Sequence, residues 1–143
     1  MDNKELLEAL AKICPPPDSY VIKEEKAAIE QAKKRGMTVV QGDNNTLLLD
    51  LDASKDVERF KEMHPMVDKY FGIVSEEYWP SKSGLPHLHV KLIIKASLGP
   101  AERIALQTIL GSDPKHECFG LVKFTQGHKE PSLLFKPGEH DDY

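Results

Sequence analysis

Two carboxylates spaced two positions apart are the first candidates for chemistry in this chain. Asp50 and Asp52 end the otherwise apolar segment 46–52. Side chains alternate between the two faces of a β-strand, so both carboxylates would project from one face. Their mutual repulsion is costly unless a cation compensates it, which makes the pair a candidate site for Mg²⁺ or Mn²⁺. The alternative is that both residues begin the loop that leads to Ser54 and its helix.

Two histidines repeat this spacing later in the chain. His87 and His89 lie in the segment 86–95, and Lys91 follows them on the same side. The opposite side of that segment is apolar and carries Leu88, Val90, Leu92 and Ile94. If the apolar sides of both strands face helices, the two acids, the two histidines and the lysine share one face. Each histidine could instead be an ordinary surface residue, but the matched facing favours a functional site.

The loop before the histidines carries groups that can hold phosphate. Ser81, Lys82, Ser83 and Gly84 offer hydroxyls, an ammonium group and accessible backbone amides for phosphate oxygens. The same residues are typical of an ordinary hairpin connection. A third acid, Asp113, is either a further metal ligand or the N-cap of a helix that begins at the next residue, a proline.

The elements that must position these side chains can be predicted from periodicity and from turn residues. We expect the segment 42–45 to join its flanking strands in a hairpin, and the loop 80–85 to join a second hairpin. Ser54 would cap the third helix, and Pro65 would kink or break it. The predicted helices cover 3–13, 23–35, 55–71, 100–110 and 114–126, and the predicted strands cover 37–41, 46–52, 73–79, 86–95 and 132–136.

This order predicts one α+β domain over residues 1–143. Residues 1–36 would form a helical N-terminal part, 37–136 a catalytic-type core and 137–143 an acidic tail. Because hairpins dominate the connections, the sheet should be largely antiparallel, with helices mainly on one face and the other face partly open. The open face is where a site could be built.

Length and composition limit the classes of protein. The chain has 143 residues, of which 40% are hydrophobic and 29% charged, so it is too apolar for a disordered protein. No apolar run approaches the roughly 18–20 residues of a membrane span, and the N-terminus lacks the features of a secretory signal. We therefore expect a cytoplasmic protein without membrane contact. Cys14 and Cys118 match no metal or redox spacing.

The charge is unevenly distributed along the chain. Residues 82–136 carry 8 Lys and Arg against 4 Asp and Glu, a balance of +4, whereas residues 1–81 carry 11 against 16, a balance of −5. The basic segment is compatible with a phosphate-bearing ligand. A solvated surface of mixed charge is the alternative explanation.

These motifs resemble the catalytic domain of the archaeo-eukaryotic primase superfamily, and in particular its small phage and plasmid primase-polymerases. That family carries Asp-x-Asp on a strand, here Asp50 and Asp52, and a Ser-Gly loop that runs into a histidine motif, here 83–89. A third acid follows, for which Asp113 is the candidate. The resemblance covers residues 46–136, and it implies a sheet like that of the RNA-recognition motif.

The resemblance also implies an activity, a nucleotidyltransferase that copies DNA. Asp50, Asp52 and Asp113 would hold Mg²⁺ or Mn²⁺, and a motif histidine would contact the triphosphate of a nucleoside triphosphate. The partners would be a single-stranded or primed DNA template and a replication helicase, in the host cytoplasm if the protein is phage-encoded. The family motif needs one histidine where this chain offers His87 and His89.

Two alternatives stay open. His87 and His89 also resemble the His-hydrophobic-His motif of HUH endonucleases, which cleave single-stranded DNA. Those enzymes use a tyrosine nucleophile, and the only tyrosine after His89 is Tyr143. The second alternative is a degenerate member of the primase-like family, a nucleic-acid-binding or adaptor protein of a phage or plasmid without catalysis.

Overall fold

The computed structural model describes residues 2–6, 9, 20–81 and 87–137, with the backbone alone for 20–24. Residues 3–6 are helical. Four longer helices follow, α1 to α4, over Tyr20–Lys34, Ser54–Phe71, Pro100–Ile109 and Pro114–Thr125. The strands β1 to β5 span Thr38–Gln41, Thr46–Leu51, Ile73–Pro80, Leu88–Ile94 and Leu133–Lys136. The rest of the predicted first helix, the loop residues 82–86 and most of the acidic tail lie outside the described residues.

The strands form two antiparallel sheets, which confirms the α+β class. Strand β4 lies between β2 and β3, while β1 pairs with β5 in a separate two-stranded sheet. The predicted hairpin of β3 and β4 is present. The register of β2 against β4 places Asp50 opposite His89 and Leu49 opposite Val90. At this end of the two strands an acid therefore faces a histidine on one side of the sheet, and apolar residues face each other on the other side.

The apolar face of the three-stranded sheet forms the main core. Leucines of β2 and the apolar residues of β4 are sealed from solvent, and α2 and α3 pack on them. Each such side chain contributes roughly 1.5–3 kcal/mol through its removal from water. The core members are Leu47, Leu49, Leu51, Phe60, Val67, Val90, Leu92, Ile94, Leu106 and Leu110. The alternation that the sequence predicts for both strands is confirmed.

The opposite face is less open than the sequence predicts. Leu48 and Trp79 are buried on this side, where Leu134 of β5 packs against them. The Trp79 indole also donates a hydrogen bond to the Phe135 carbonyl at 2.9 Å. Three consecutive leucines in β2 place apolar surface on both faces, so a second layer must cover Leu48. The polar end of the strand remains accessible.

The predicted hairpin between β1 and β2 is wrong. Residues 42–45 carry the chain from one sheet to the other, and β1 pairs with the last strand instead. The Asp43 carboxylate accepts hydrogen bonds from the Asn45 amide and the Thr46 hydroxyl, both at 2.8 Å. Gly42 lies where a Cβ atom would come within 2.9 Å of the Arg103 guanidinium. Asn44 and Asn45 do form a turn, but turn chemistry does not decide which strand becomes the partner.

Helix α2 begins and continues differently from the prediction. Ala53 takes the N-cap position, and Ser54 makes no capping bond. The helix runs through Pro65 without a break, since Phe60 and Val67 on either side of it are both held in the core. It ends at Gly72, which adopts φ 73°, a conformation that glycine reaches without steric cost.

No helix in the described part of the chain is long and apolar enough to cross a membrane.

Candidate functional site

The register of β2 and β4 assembles two acid–histidine pairs on one side of the sheet. His87 Nδ1 lies 2.5 Å from an Asp52 carboxylate oxygen. His89 Nε2 lies 3.5 Å from Asp50 Oδ1. The structure thus brings together the four residues that the sequence singles out on these strands.

The outer pair is accessible to a ligand. The side chains of Asp52 and His87 are 48% and 33% exposed. Asp56 of α2 fixes the Asp52 backbone. The Asp52 amide donates to the Asp56 carboxylate at 3.0 Å, and the Ala53 amide donates to the same oxygen at 3.1 Å. The start of α2 therefore holds the end of β2 in place.

The inner pair is fixed more tightly. The His89 side chain is only 14% exposed, and its Nδ1 lies 3.3 Å from the Phe135 carbonyl oxygen. Its ring meets Trp79 edge-on, with centroids 5.8 Å apart. If Nδ1 donates to Phe135, Nε2 is left facing Asp50, so the packing orients the imidazole toward the acid.

A buried polar network supports Asp50 from behind. The Asp50 amide donates to the Ser112 hydroxyl at 2.9 Å, and the Asp50 carbonyl accepts from the Asp113 amide at 2.6 Å. The Ser112 hydroxyl in turn lies 3.4 Å from Glu117. Glu117 also accepts from the Gln107 amide at 2.8 Å, and it lies 3.1 Å from His116 Nδ1. Helices α3 and α4 thereby fix the position of the Asp50 backbone.

These contacts perturb two ionisable groups. Burial alone would raise the pKa of Asp50, but the hydrogen bond and charge of His89, with the charges of His116 and His87, bring it below its ordinary value. Burial alone would lower the pKa of His116, but the hydrogen bond and charge of Glu117 raise it above the ordinary value. The Leu133 carbonyl and the charge of Asp50 add to that increase. The two shifts favour the charged forms, a carboxylate at Asp50 and an imidazolium at His116.

A cleft of about 370 Å³ opens over the paired acids. Asp50, Asp52, His89 and Ser81 line one side. The facing wall comes from α1 and the residues after it, namely Ala28, Gln31, Ala32, Arg35 and Met37. A guanidinium group therefore lies in the wall of the same cleft as both carboxylates.

Arg35 was not among the site residues predicted from the sequence. It lies in the acidic half of the chain, whereas the basic excess lies in the segment 82–136. The available signal was the helical spacing of Ala28, Ala32 and Arg35, which places a cation just after α1 in line with two small residues of that helix. The fold brings these residues against the cleft.

Of the other predicted site residues that the structure describes, Ser81 lines the cleft, and Lys91 and Asp113 do not. Lys82, Ser83 and Gly84 lie outside the described residues. Lys91 shares the face but lies opposite Leu48 and Glu77, one pair further along the strands, and it does not line the cleft. The Asp113 carboxylate caps α4 through the His116 amide at 3.4 Å, which is the alternative role that the sequence offered for it. Asp113 does not line the cleft either.

The carboxylates and imidazoles of the site are suitable ligand types for a divalent ion, but they are not arranged around a common point. Two carboxylates with nearby imidazoles are ligands that suit Mn²⁺, and the carboxylates suit Mg²⁺. Across the described residues, however, no group of three or more His, Cys, Asp or Glu side chains is arranged to hold a metal ion. Each acid is turned to a histidine instead, so binding of a cation would require the carboxylates to exchange those partners.

Comparison of the chain with family models, with curated protein sequences and with solved structures gave no match.

Proposed function

We propose that this protein is a primase-polymerase-like nucleotidyltransferase that binds a nucleoside triphosphate with Mg²⁺ or Mn²⁺ and acts on a DNA template. The single observation that carries the proposal is that Asp50, Asp52 and His89 line one cleft together with Arg35, while His87 contacts Asp52 at its edge. Carboxylates for a cation and a guanidinium for phosphate oxygens are the groups that triphosphate chemistry needs.

The residues would divide the work by position. Asp50 and Asp52 would hold the divalent ion, which when bound neutralises charge on the triphosphate and on the leaving pyrophosphate. Arg35, on the opposite wall, would bind phosphate oxygens through its planar fork of donors. Ser81 would add a hydroxyl to the same contacts.

The two histidines would have different roles. His87 is the more exposed of the two and would contact the triphosphate. His89 is packed between Trp79 and the Phe135 carbonyl, and it would position the Asp50 carboxylate. Replacing His87 with glutamine should therefore weaken triphosphate binding more than it weakens binding of the metal alone, and replacing His89 should weaken both.

The test combines binding and activity. We expect wild-type protein to bind dATP in the presence of Mn²⁺ by calorimetry and to extend a primed DNA template. Asp50→Asn and Asp52→Asn keep the shape of the side chain but remove the charge, so each should lower the extension rate by about 100-fold or more. Glu58→Gln, which removes the same charge from an exposed position on α2, is the matched control and should change neither result.

Other outcomes would select the alternatives. Binding of dATP without extension would indicate a degenerate member of the primase-like family, and DNA binding that survives both aspartate variants would indicate an adaptor. A covalent protein–DNA product on single-stranded DNA would indicate HUH-type cleavage. Tyr78 argues against that last outcome, because it lies opposite Val90 and packs edge-on against Phe60, on the other face of the sheet from His89.

A further inference from the structure

A second and larger cavity adjoins the cleft that Asp50 and Asp52 line, which is called the acidic cleft below. The second cavity has a volume of about 580 Å³ and lies between α1, α4 and β5. Ala28, Gln31 and Phe135 line both cavities, so the two spaces are neighbours at these three residues. A ligand that occupied both cavities would pass Gln31.

The walls of this cavity differ in character from those of the acidic cleft. They are largely apolar and include Ile104, Leu133 and the rings of Phe119 and Phe135. Gly120 of α4 leaves additional room, since a Cβ atom there would meet only Ile104, at 3.8 Å. Flat π-systems are favoured between aromatic and aliphatic walls of this kind.

Several polar groups interrupt the apolar walls, and the paired His116 and Glu117 are among them. The Gln31 carboxamide lies at the junction and can both donate and accept hydrogen bonds, and Ser132 adds a hydroxyl. At another part of the wall, the Lys123 ammonium pairs with Glu25 at 3.0 Å, so this cation already has a carboxylate partner. An apolar pocket with a few placed polar groups is the usual form of a small-molecule site.

We infer that this cavity binds the nucleobase of the substrate whose phosphates lie in the acidic cleft. The inference rests on the proposed function, since it assigns the substrate's base end to the cavity adjoining the proposed phosphate site. The base would pack against Phe119 and Phe135, and Gln31 would contact its polar edge or the sugar. Helix α1 would then contact both the base and the phosphates of one nucleotide, because its residues line both cavities.

The experiment fills the cavity without altering the acidic cleft. Gly120→Leu would place a side chain in the space beside Ile104, while Gly120→Ala fits in ordinary contact and is the better helix former, so it serves as the matched control. Phe119→Ala is a second variant, and its side chain is 38% exposed, so the fold should tolerate the loss. Binding of dATP and of inorganic tripolyphosphate, each with Mn²⁺, is measured by calorimetry.

If the inference is correct, wild type and Gly120→Ala should bind dATP about 10- to 100-fold more tightly than tripolyphosphate, as expected for one stacked base. Gly120→Leu should lose the preference for dATP, while its affinity for tripolyphosphate stays unchanged. Phe119→Ala should lose part of the preference for dATP. Equal affinities of wild type for dATP and tripolyphosphate, or a Gly120→Leu variant that keeps the preference, would overturn the inference.

Failure of the proposed function gives a different result. If neither phosphate ligand binds with Mn²⁺, a titration with 2′-deoxyadenosine followed by NMR of the Ile104 and Leu133 methyl groups decides the question. Shifts in wild type and in Gly120→Ala that are absent in Gly120→Leu would support a base site in this cavity. A titration that shifts neither methyl group would show that no base binds there.

Discussion

Asp50 and His116 show how the environment of single residues sets their charge. The Asp50 carboxylate lies 3.5 Å from His89 and within the electrostatic influence of His116. His116 is held between Glu117 at 3.1 Å and the Leu133 carbonyl at 3.3 Å. Both oxygens can accept hydrogen bonds from the ring N–H groups, so they stabilise the charged imidazolium despite burial.

A dependence of stability on pH follows from His116. Its pKa lies above 6.5 in the folded protein because Glu117, Leu133 and Asp50 together outweigh burial. The folded state then holds more protons than the unfolded state between pH 6.5 and that raised value. The stabilisation is fully present below pH 6.5 and is lost as the pH rises through the folded pKa.

Urea denaturation between pH 5.5 and pH 9 measures this effect. The free energy of unfolding of the wild type should fall with rising pH more steeply than that of His116→Gln, which cannot take up a proton at this position. Subtracting the two curves removes the contribution of the remaining histidines. Parallel curves would show that His116 is not linked to folding.

At the scale of elements, the start of α2 connects the end of β2 to the core. The Asp56 carboxylate accepts from the amides of Asp52 and Ala53, and this contact orients a helix whose Phe60 and Val67 are buried. A carboxylate at this position satisfies amides that the helix leaves without partners and interacts favourably with the helix dipole. The same bond fixes the backbone that carries the Asp52 side chain.

Asp56→Ala should lower the free energy of unfolding by about 1 kcal/mol, the usual cost of losing a capping side chain. It should also weaken binding of Mn²⁺ and dATP, since Asp52 loses its support. Ser54→Ala is the matched control from the same turn, and it should change stability by less than about 0.5 kcal/mol because Ser54 makes no capping bond. Equal losses from both substitutions would assign the cap to Ser54 after all.

Most elements of this fold are predictable because their signals are local. Gly36, Gly72 and Gly111 follow helices and have positive φ, and Pro100 and Pro114 begin helices. Period-two alternation places Leu47, Leu49 and Leu51 in the main core and the two acids on the opposite face. The partner of β1 was not predictable in this way, because pairing with β5 depends on packing across nearly the whole chain.

At the scale of the whole molecule, one ion pair connects α3 to the segment before β5. The fully buried Arg103 guanidinium binds both Glu130 oxygens, at 2.9 and 2.7 Å, and its Nε donates to the Leu98 carbonyl. Gly42, at the exit of β1, contacts this pair without a side chain. The pair therefore lies where both sheets and α3 meet.

Breaking this pair should be strongly destabilising. Glu130→Ala leaves a buried cation without its partner and should cost about 3–5 kcal/mol of unfolding free energy. Arg103→Met removes the cation itself and leaves a partly exposed acid, so it should cost less than Glu130→Ala. Arg59→Met on the exposed side of α2 is the control, and we expect a change below about 1 kcal/mol there. Urea midpoints rank the three variants, and a Glu130→Ala protein as stable as the control would contradict the prediction.

Alternation along each strand was enough to predict its two faces and four residues of the candidate site. Asp50, Asp52, His87 and His89 could be assigned to one side because alternation is a property of each strand alone. Only the tertiary structure placed Asp50 opposite His89, covered Leu48 with β5 and brought Arg35 over the acids. Register, layer order and the wall of a cleft depend on which distant surfaces bury each other, and a local pattern of residue types does not specify that choice.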